Sequence, residues 1–304
     1  MSSAIDGLRH LFCICIIMIH MTSASRYTPE INQQISNIGD YLAGSVCGFF
    51  MISGYLFKVE NKAIEYAKKQ CKRLLVPYII FSLLYAMLLA IAGKINFTEG
   101  LKATILMKGA GMQLYFLPYL ASITIGTNAI LSIFHTESFR LLISRISLAL
   151  LTIATIELPT TVATGSNTRL MTLYAVAFFT GLLVRDTLHK KSFRSANLIL
   201  TTVIIGCAGV LDWRFRGLMI ALILLLICIA LKDHLPQRRI PGSGGVYLLH
   251  TPILNFTISL MLVNIGIEQE FNLIASVILT YAISLTATLI FISVYPRQKW
   301  LLLE

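Results

Sequence analysis

A chain of 304 residues with 56% hydrophobic and 13% charged side chains, and a mean hydropathy of +0.77, has a bilayer rather than water as its natural solvent. The 25 Lys and Arg against 14 Asp and Glu leave a formal charge of +11, yet the basic residues sit in short gaps between apolar runs, so nucleic-acid binding does not explain them. The same numbers exclude a soluble globular enzyme, a disordered chain and a secreted disulfide scaffold.

A spanning helix needs about 20 mostly apolar residues to cross about 30 Å at 1.5 Å per residue. Ten segments qualify in chain order: 7–25, 40–57, 74–93, 112–134, 141–157, 170–184, 197–211, 215–231, 244–264 and 272–295. The seventh and eighth are short, and Asp212-Trp213-Arg214-Phe215-Arg216 lies between them, so eight or nine spans are the alternatives. The expected fold class is all-α, a polytopic integral membrane protein with about ten transmembrane helices. No Pro- or Gly-rich linker and no fixed-period repeat divides the chain, which reads as a single membrane domain over 1–304. Ser23-Ala24-Ser25 offers small residues for signal cleavage, but the stretch before the first span lacks a net positive charge and the span carries Arg9 and His20, so it reads as a retained helix.

Orientation follows from Lys and Arg in the gaps. Lys58, Lys62, Lys68, Lys69, Lys72 and Arg73 follow span two, and Arg185, Lys190, Lys191 and Arg194 follow span six. With Arg140, Arg145, Lys232, Arg238, Arg239, Arg297 and Lys299, one side collects 17 basic residues against seven on the other, which puts both termini in the cytoplasm. The six cysteines (Cys13, Cys15, Cys47, Cys71, Cys207 and Cys228) form no CxxC pair. Five lie in apolar stretches, where a thiol behaves as a small hydrophobe, and no metal is expected.

An ionisable side chain within a span costs about 2.5–3.5 kcal/mol on insertion scales, so each one asks for a reason. Arg9 and His20 are eleven residues apart, which on a helix places them within about 20° of one face and about 16 Å apart along the axis. Asp6, three residues before Arg9, is within reach of the guanidinium. Arg9 has a plain alternative in snorkelling to the headgroups, and His20 in a hydrogen bond to a neighbouring helix. A neutral imidazole that can both accept and donate a proton also suits acid–base chemistry.

An opening helix that begins Asp6-Gly7-Leu8-Arg9 and carries His20 resembles the first-helix motif of the membrane-bound acyltransferase family 3, the bacterial O-acyltransferases of surface polysaccharides. Four further segments agree, in family order. Phe49-Phe50-Met51-Ile52-Ser53-Gly54-Tyr55-Leu56-Phe57 is similar to the Phe-Phe-x-Ile-Ser-Gly-Tyr signature of the second helix. Lys72-Arg73-Leu74-Leu75-Val76-Pro77-Tyr78 resembles the basic segment entering the third, Leu114-Tyr115-Phe116-Leu117-Pro118 the Trp-Phe-Leu segment of the fourth, and Tyr247-Leu248-Leu249-His250-Thr251-Pro252 the late Tyr-Leu-x-His-x-Pro. Two positions depart from the pattern. Tyr115 stands where Trp is usual, and the cytoplasmic Arg-x-x-Arg is represented by Lys69-Gln70-Cys71-Lys72 with Arg73 beside it, which keeps the charge but loses bidentate phosphate recognition.

The resemblance implies transfer of an acyl group, commonly acetyl from cytosolic acetyl-CoA, to a hydroxyl of a glycan or lipid-linked saccharide, by a multi-pass protein of the bacterial cytoplasmic (inner) membrane with lipids around it and no nucleic-acid partner. Under that reading Arg9, Lys69, Lys72 and Arg73 face the polyanionic acyl-CoA, and His20 is the general base for the sugar hydroxyl or the carrier of the acyl group. Tyr115, Ser53 and His250 are the candidates for substrate contact, with Tyr115 bordering the acceptor groove and His250, one or two turns from the cytoplasmic end of its span, touching the donor. Each has an alternative role: interfacial aromatic for Tyr115, close helix packing for Ser53 beside Gly54, and a helix–helix hydrogen bond for His250. Pro118 reads as bordering the acceptor groove or as a helix kink. The competing function is a polysaccharide exporter or other multi-span transporter, which buried His and Arg also serve.

Overall fold

Every regular element described in the computed structural model is helical. The structure describes residues 3–21, 27–111, 113–134, 136–158, 165–189, 194–212 and 214–303. The cleavage-site residues Ser23-Ala24-Ser25 and the basic residues Arg26, Lys190 and Lys191 lie outside them. The helices are α1 (Ser3–Met21), α2 (Pro29–Leu42), α3 (Gly44–Leu56), α4 (Ala63–Gln70), α5 (Val76–Ile91), α6 (Phe97–Ile105), α7 (Phe116–Ile133), α8 (Glu137–Glu157), α9 (Gly165–His189), α10 (Arg194–Leu211), α11 (Arg214–Leu231), α12 (Ser243–Leu249), α13 (Asn255–Asn264) and α14 (Gln269–Val294).

Among the described residues nine helical stretches are long and apolar enough to cross a membrane. α10 adds a shorter apolar stretch, Leu198–Leu211, about 21 Å at 1.5 Å per residue and so short of the full hydrocarbon thickness. The protein is a polytopic, all-α membrane protein. Two gaps in the hydropathy pattern prove helical as well. α2 leads into α3 as the first part of the second stretch, Pro29–Leu56, and α6 follows the third; Pro29 opens the first turn of one, and Asn96 with Glu99 forms a capping box on the other.

The third span differs most from its sequence reading. Lys68, Lys69, Lys72 and Arg73, expected in a loop, are helical: α4 runs through a π-helical turn at Cys71–Leu75 into α5. Pro77 is the reason. Without an N–H, and with a ring that crowds the carbonyl four residues back, it cannot sit in a regular α-turn. The wider turn absorbs the mismatch, and the Val76 N–H donates to Cys71 O.

The contacts group the chain into two compact units. The first holds Met1–Phe12, Asp40–Tyr66 and Ile123–Arg238. In it α3 packs on α9 and α11, and the approach is so close that a Cβ on Gly54 would strike Phe178 O and one on Gly181 would strike Met51 O. Small residues at such crossings let backbones touch, which is how helices associate where lipid supplies no hydrophobic drive. Phe50 stacks on Tyr174 with centroids 4.6 Å apart. Asp212, between the seventh and eighth expected spans, is buried: Arg169 holds it at 2.6 Å, and it accepts the Arg214 backbone N–H at the start of α11.

The second unit holds Cys13–Gly39, Ala67–Ser122 and Arg239–Glu304. α13 packs antiparallel on α14 through Asn272, which accepts from Tyr27 and Ser276 and donates to Ser259 O. Its other consequential feature is a break between α12 and α13.

Candidate active site

Pro252 makes the break. Leu248 O would accept from residue 252 in a regular helix, and proline has no N–H to give. The residue before a proline is pushed into the extended region, and Thr251 has φ −136° and ψ 156°. Asn255 N–H then reaches back five residues to His250 O instead of four to Thr251 O. Two carbonyls, Leu248 O and Thr251 O, therefore lose their helical donors in a buried setting where each unsatisfied group costs about 1–3 kcal/mol.

Side chains from elsewhere in the unit replace those donors. Gln113, in the turn before α7, donates both amide hydrogens, to Leu248 O at 3.1 Å and Thr251 O at 2.6 Å. Tyr85 on α5 donates a second bond to Leu248 O at 2.6 Å. Tyr247 ties the arrangement from the other side, its hydroxyl donating to Gln113 O at 2.6 Å while its ring packs on Phe116 at 5.1 Å.

His250 sits inside this break, 1% exposed. Its Nδ1 lies 3.1 Å from Val246 O and 2.8 Å from Tyr247 O. A carbonyl oxygen only accepts, so Nδ1 carries the proton and Nε2 carries the lone pair. That Nε2 is buried and has no hydrogen-bond partner among the described residues. The imidazole bonds to its own helix rather than to a neighbouring one, and its ring faces His20 with centroids 5.4 Å apart and planes inclined by 38°. His20, half-buried near the end of α1, is anchored through its backbone carbonyl, which accepts from Asn255 Nδ2 at 3.4 Å. Cys13, two turns earlier on α1, donates its thiol to Ser243 O at 3.3 Å and ties α1 to the start of α12.

Arg9 lies on α1 with its Nη1 3.4 Å from Asp6 Oδ1, the reach expected three residues apart on a helix. Lys69, Lys72 and Arg73 are exposed on the α4–π–α5 stretch, and Lys72 Nζ sits 5.8 Å over the Trp300 ring. Tyr115 follows Gln113 by two residues in the turn before α7, its ring 5.6 Å from Tyr119. Pro118 is the third residue of α7, where a missing N–H costs nothing. Ser53 donates to Phe49 O at 2.8 Å within α3, the usual back-bond of a helical serine.

In the first unit a cleft of about 220 Å³ is lined by Lys58, Arg140 and Arg185 with Glu137 and Asp186. Asp186 pairs with Arg185 at 2.6 Å, so the cleft carries both signs and has little excess charge for a polyanion. Among the described residues no three of His, Cys, Asp or Glu come together as a metal set.

Tyr85 and Gln113 are the site residues that sequence reasoning missed. The signal was half visible: Pro252 four residues after Leu248 announces a carbonyl without a donor. Which distant side chain supplies the donor is a property of packing.

An imidazole in a helix break that faces a second one on α1 suits proton transfer or covalent capture of a reacting group. Residues 2–294 match the acyltransferase domain that defines acyltransferase family 3. The chain belongs to that family. No curated protein and no solved structure matches it. This acyltransferase-family chain is thus a multi-pass membrane acyltransferase.

Proposed function

We propose that the protein moves an acetyl group from cytosolic acetyl-CoA to a hydroxyl of a surface or cell-envelope glycan, in the bacterial inner membrane. The observation that carries this reading is the His20–His250 pair, 5.4 Å between rings, set in a helix break of a family 3 acyltransferase. An alcohol is a weak nucleophile until a base takes its proton during attack on the thioester, and a neutral imidazole does that near physiological pH.

The donor is a polyanion, so cations at its entrance favour it. Arg9, braced by Asp6 at 3.4 Å, has a planar fork suited to phosphate oxygens. Lys69, Lys72 and Arg73 add positive charge on an exposed helical stretch. His20 acts as general base or as acyl carrier, and Tyr115 and His250 contact the acceptor. Ser53, whose hydroxyl proton goes to Phe49 O, could meet a substrate only as an acceptor.

The test is reconstitution of the full chain with labelled acetyl-CoA and a lipid-linked or soluble glycan. His20→Ala is expected to lose transfer, and Arg9→Ala to raise KM for acetyl-CoA more than KM for the glycan. Transfer by His20→Ala at the parent rate refutes the role of His20. Glycan crossing the bilayer with no transfer from any acyl-CoA replaces the reading with an exporter.

A further inference from the structure

We propose that His250, through Nε2, is the base that takes the proton of the attacking hydroxyl, which leaves His20 the acyl-carrier role. The proposal rests on the acyltransfer reading and refines it.

Three observations converge. The tautomer of His250 is set by its own helix: Nδ1–H faces the carbonyls of Val246 and Tyr247, so only Nε2 can accept a proton. The same two carbonyls stabilise the imidazolium once it forms, because a donor that gains charge makes a stronger hydrogen bond. Nε2 itself is buried without a partner among the described residues, and burial of an acceptor in that state is costly unless a donor arrives with the ligand. A second acceptor, on a side chain that reaches the break from the turn before α7, is in the same condition. Gln113 spends both amide hydrogens on Leu248 O and Thr251 O, and its Oε1 is buried and unpartnered. Two lone pairs awaiting hydrogens describe a receptor for a ligand rich in O–H donors, as a sugar is. Gln113 is a positioning residue as well, since it holds the freed carbonyls that keep the break open.

The chemistry closes in two steps. The unprotonated imidazole nitrogen of His20 attacks the thioester carbonyl, the C–S bond breaks, and the departing thiolate takes the proton of the His20 N–H, giving acyl-His20 and CoA thiol. The sugar oxygen then attacks the acyl carbon while its proton passes to His250 Nε2. The acyl C–N bond breaks, and the departing His20 nitrogen takes that proton back, so both imidazoles end neutral and the ester is released.

The test uses the full chain in lipid nanodiscs and two readouts: transfer of label from acetyl-CoA to glycan, and exchange of labelled free CoA into acetyl-CoA without glycan. His250→Asn keeps an amide N–H where Nδ1 stands and removes Nε2. Transfer is expected to fall at least about 100-fold, the low end for general-base catalysis, with exchange retained and KM for acetyl-CoA unchanged. His20→Asn is expected to lose both. In the parent, nitrogen-15 NMR of labelled histidine is expected to show His250 protonated at Nδ1, a reading that does not depend on any variant folding.

Transfer by His250→Asn at the parent rate, loss of its exchange together with its transfer, or an Nε2–H tautomer in the parent overturns the assignment. Transfer by the parent without exchange overturns the carrier role of His20. A parent that transfers nothing from any acyl-CoA brings down the acyltransfer reading itself, an outcome distinct from failure of His250 alone.

Discussion

The break between α12 and α13 makes a quantitative prediction about how its two bare carbonyls are satisfied. Leu248 O has two donors, Tyr85 at 2.6 Å and Gln113 at 3.1 Å, whereas Thr251 O has Gln113 at 2.6 Å. Tyr85→Phe therefore removes one bond and leaves no carbonyl bare, a loss of about 0.6 kcal/mol if it behaves like the average side-chain hydrogen bond between membrane helices. Gln113→Met preserves length and volume but strips Thr251 O completely, so about 1–3 kcal/mol is expected. The double variant also strips Leu248 O, and the added cost makes it worse than the sum of the singles by about 1 kcal/mol.

The assay is unfolding in detergent followed by a thiol-reactive dye, since Cys13 and Cys47 are 1% and 2% exposed and react only when the helices part; Cys207, already exposed, sets the background. If Gln113→Met costs no more than Tyr85→Phe, or if the double variant equals the sum, the carbonyls of the break are not what these side chains serve and the account of the site is wrong.

Pro252→Ala restores an N–H opposite Leu248 O and permits a regular helix through residue 252. It is expected to leave stability equal or higher while transfer activity drops, because His250 no longer faces His20; full activity with raised stability would show the break to be incidental. Asp212→Asn removes the charged partner of Arg169, whose own side chain is 12% exposed, and breaking a buried pair from one side costs about 3 kcal/mol. Dye-monitored unfolding checks it, and a change below about 1 kcal/mol would mean the guanidinium is solvated.

Much of the fold is legible in the sequence because a bilayer leaves so few choices. With no water to satisfy the backbone, an apolar run of sufficient length must be a helix, and the spans expected at 215–231 and 244–264 match Arg214–Leu231 and Ser243–Asn264 within about a residue. The Asp6–Arg9 pair was equally readable, since three residues on a helix fix a reach. Less visible was structure inside the gaps: α2, α4 and α6 are polar enough to pass for loops, and their helicity depends on caps and on continuation into the spans.

The positive excess with which the chain opens is determined by sequence alone, as an orientation signal whose meaning needs no fold. The candidate site is different. His20 is legible from its cost inside a span, and His250 from the resemblance of Tyr247–Pro252 to a family segment, but 230 residues separate them and no spacing rule relates them. Only tertiary structure sets the two rings 5.4 Å apart and brings Tyr85 and Gln113 to the carbonyls that Pro252 leaves bare. The physical reason is that a helix's hydrogen bonds are local and can be read residue by residue, whereas a missing one is repaired by whichever donor packing delivers.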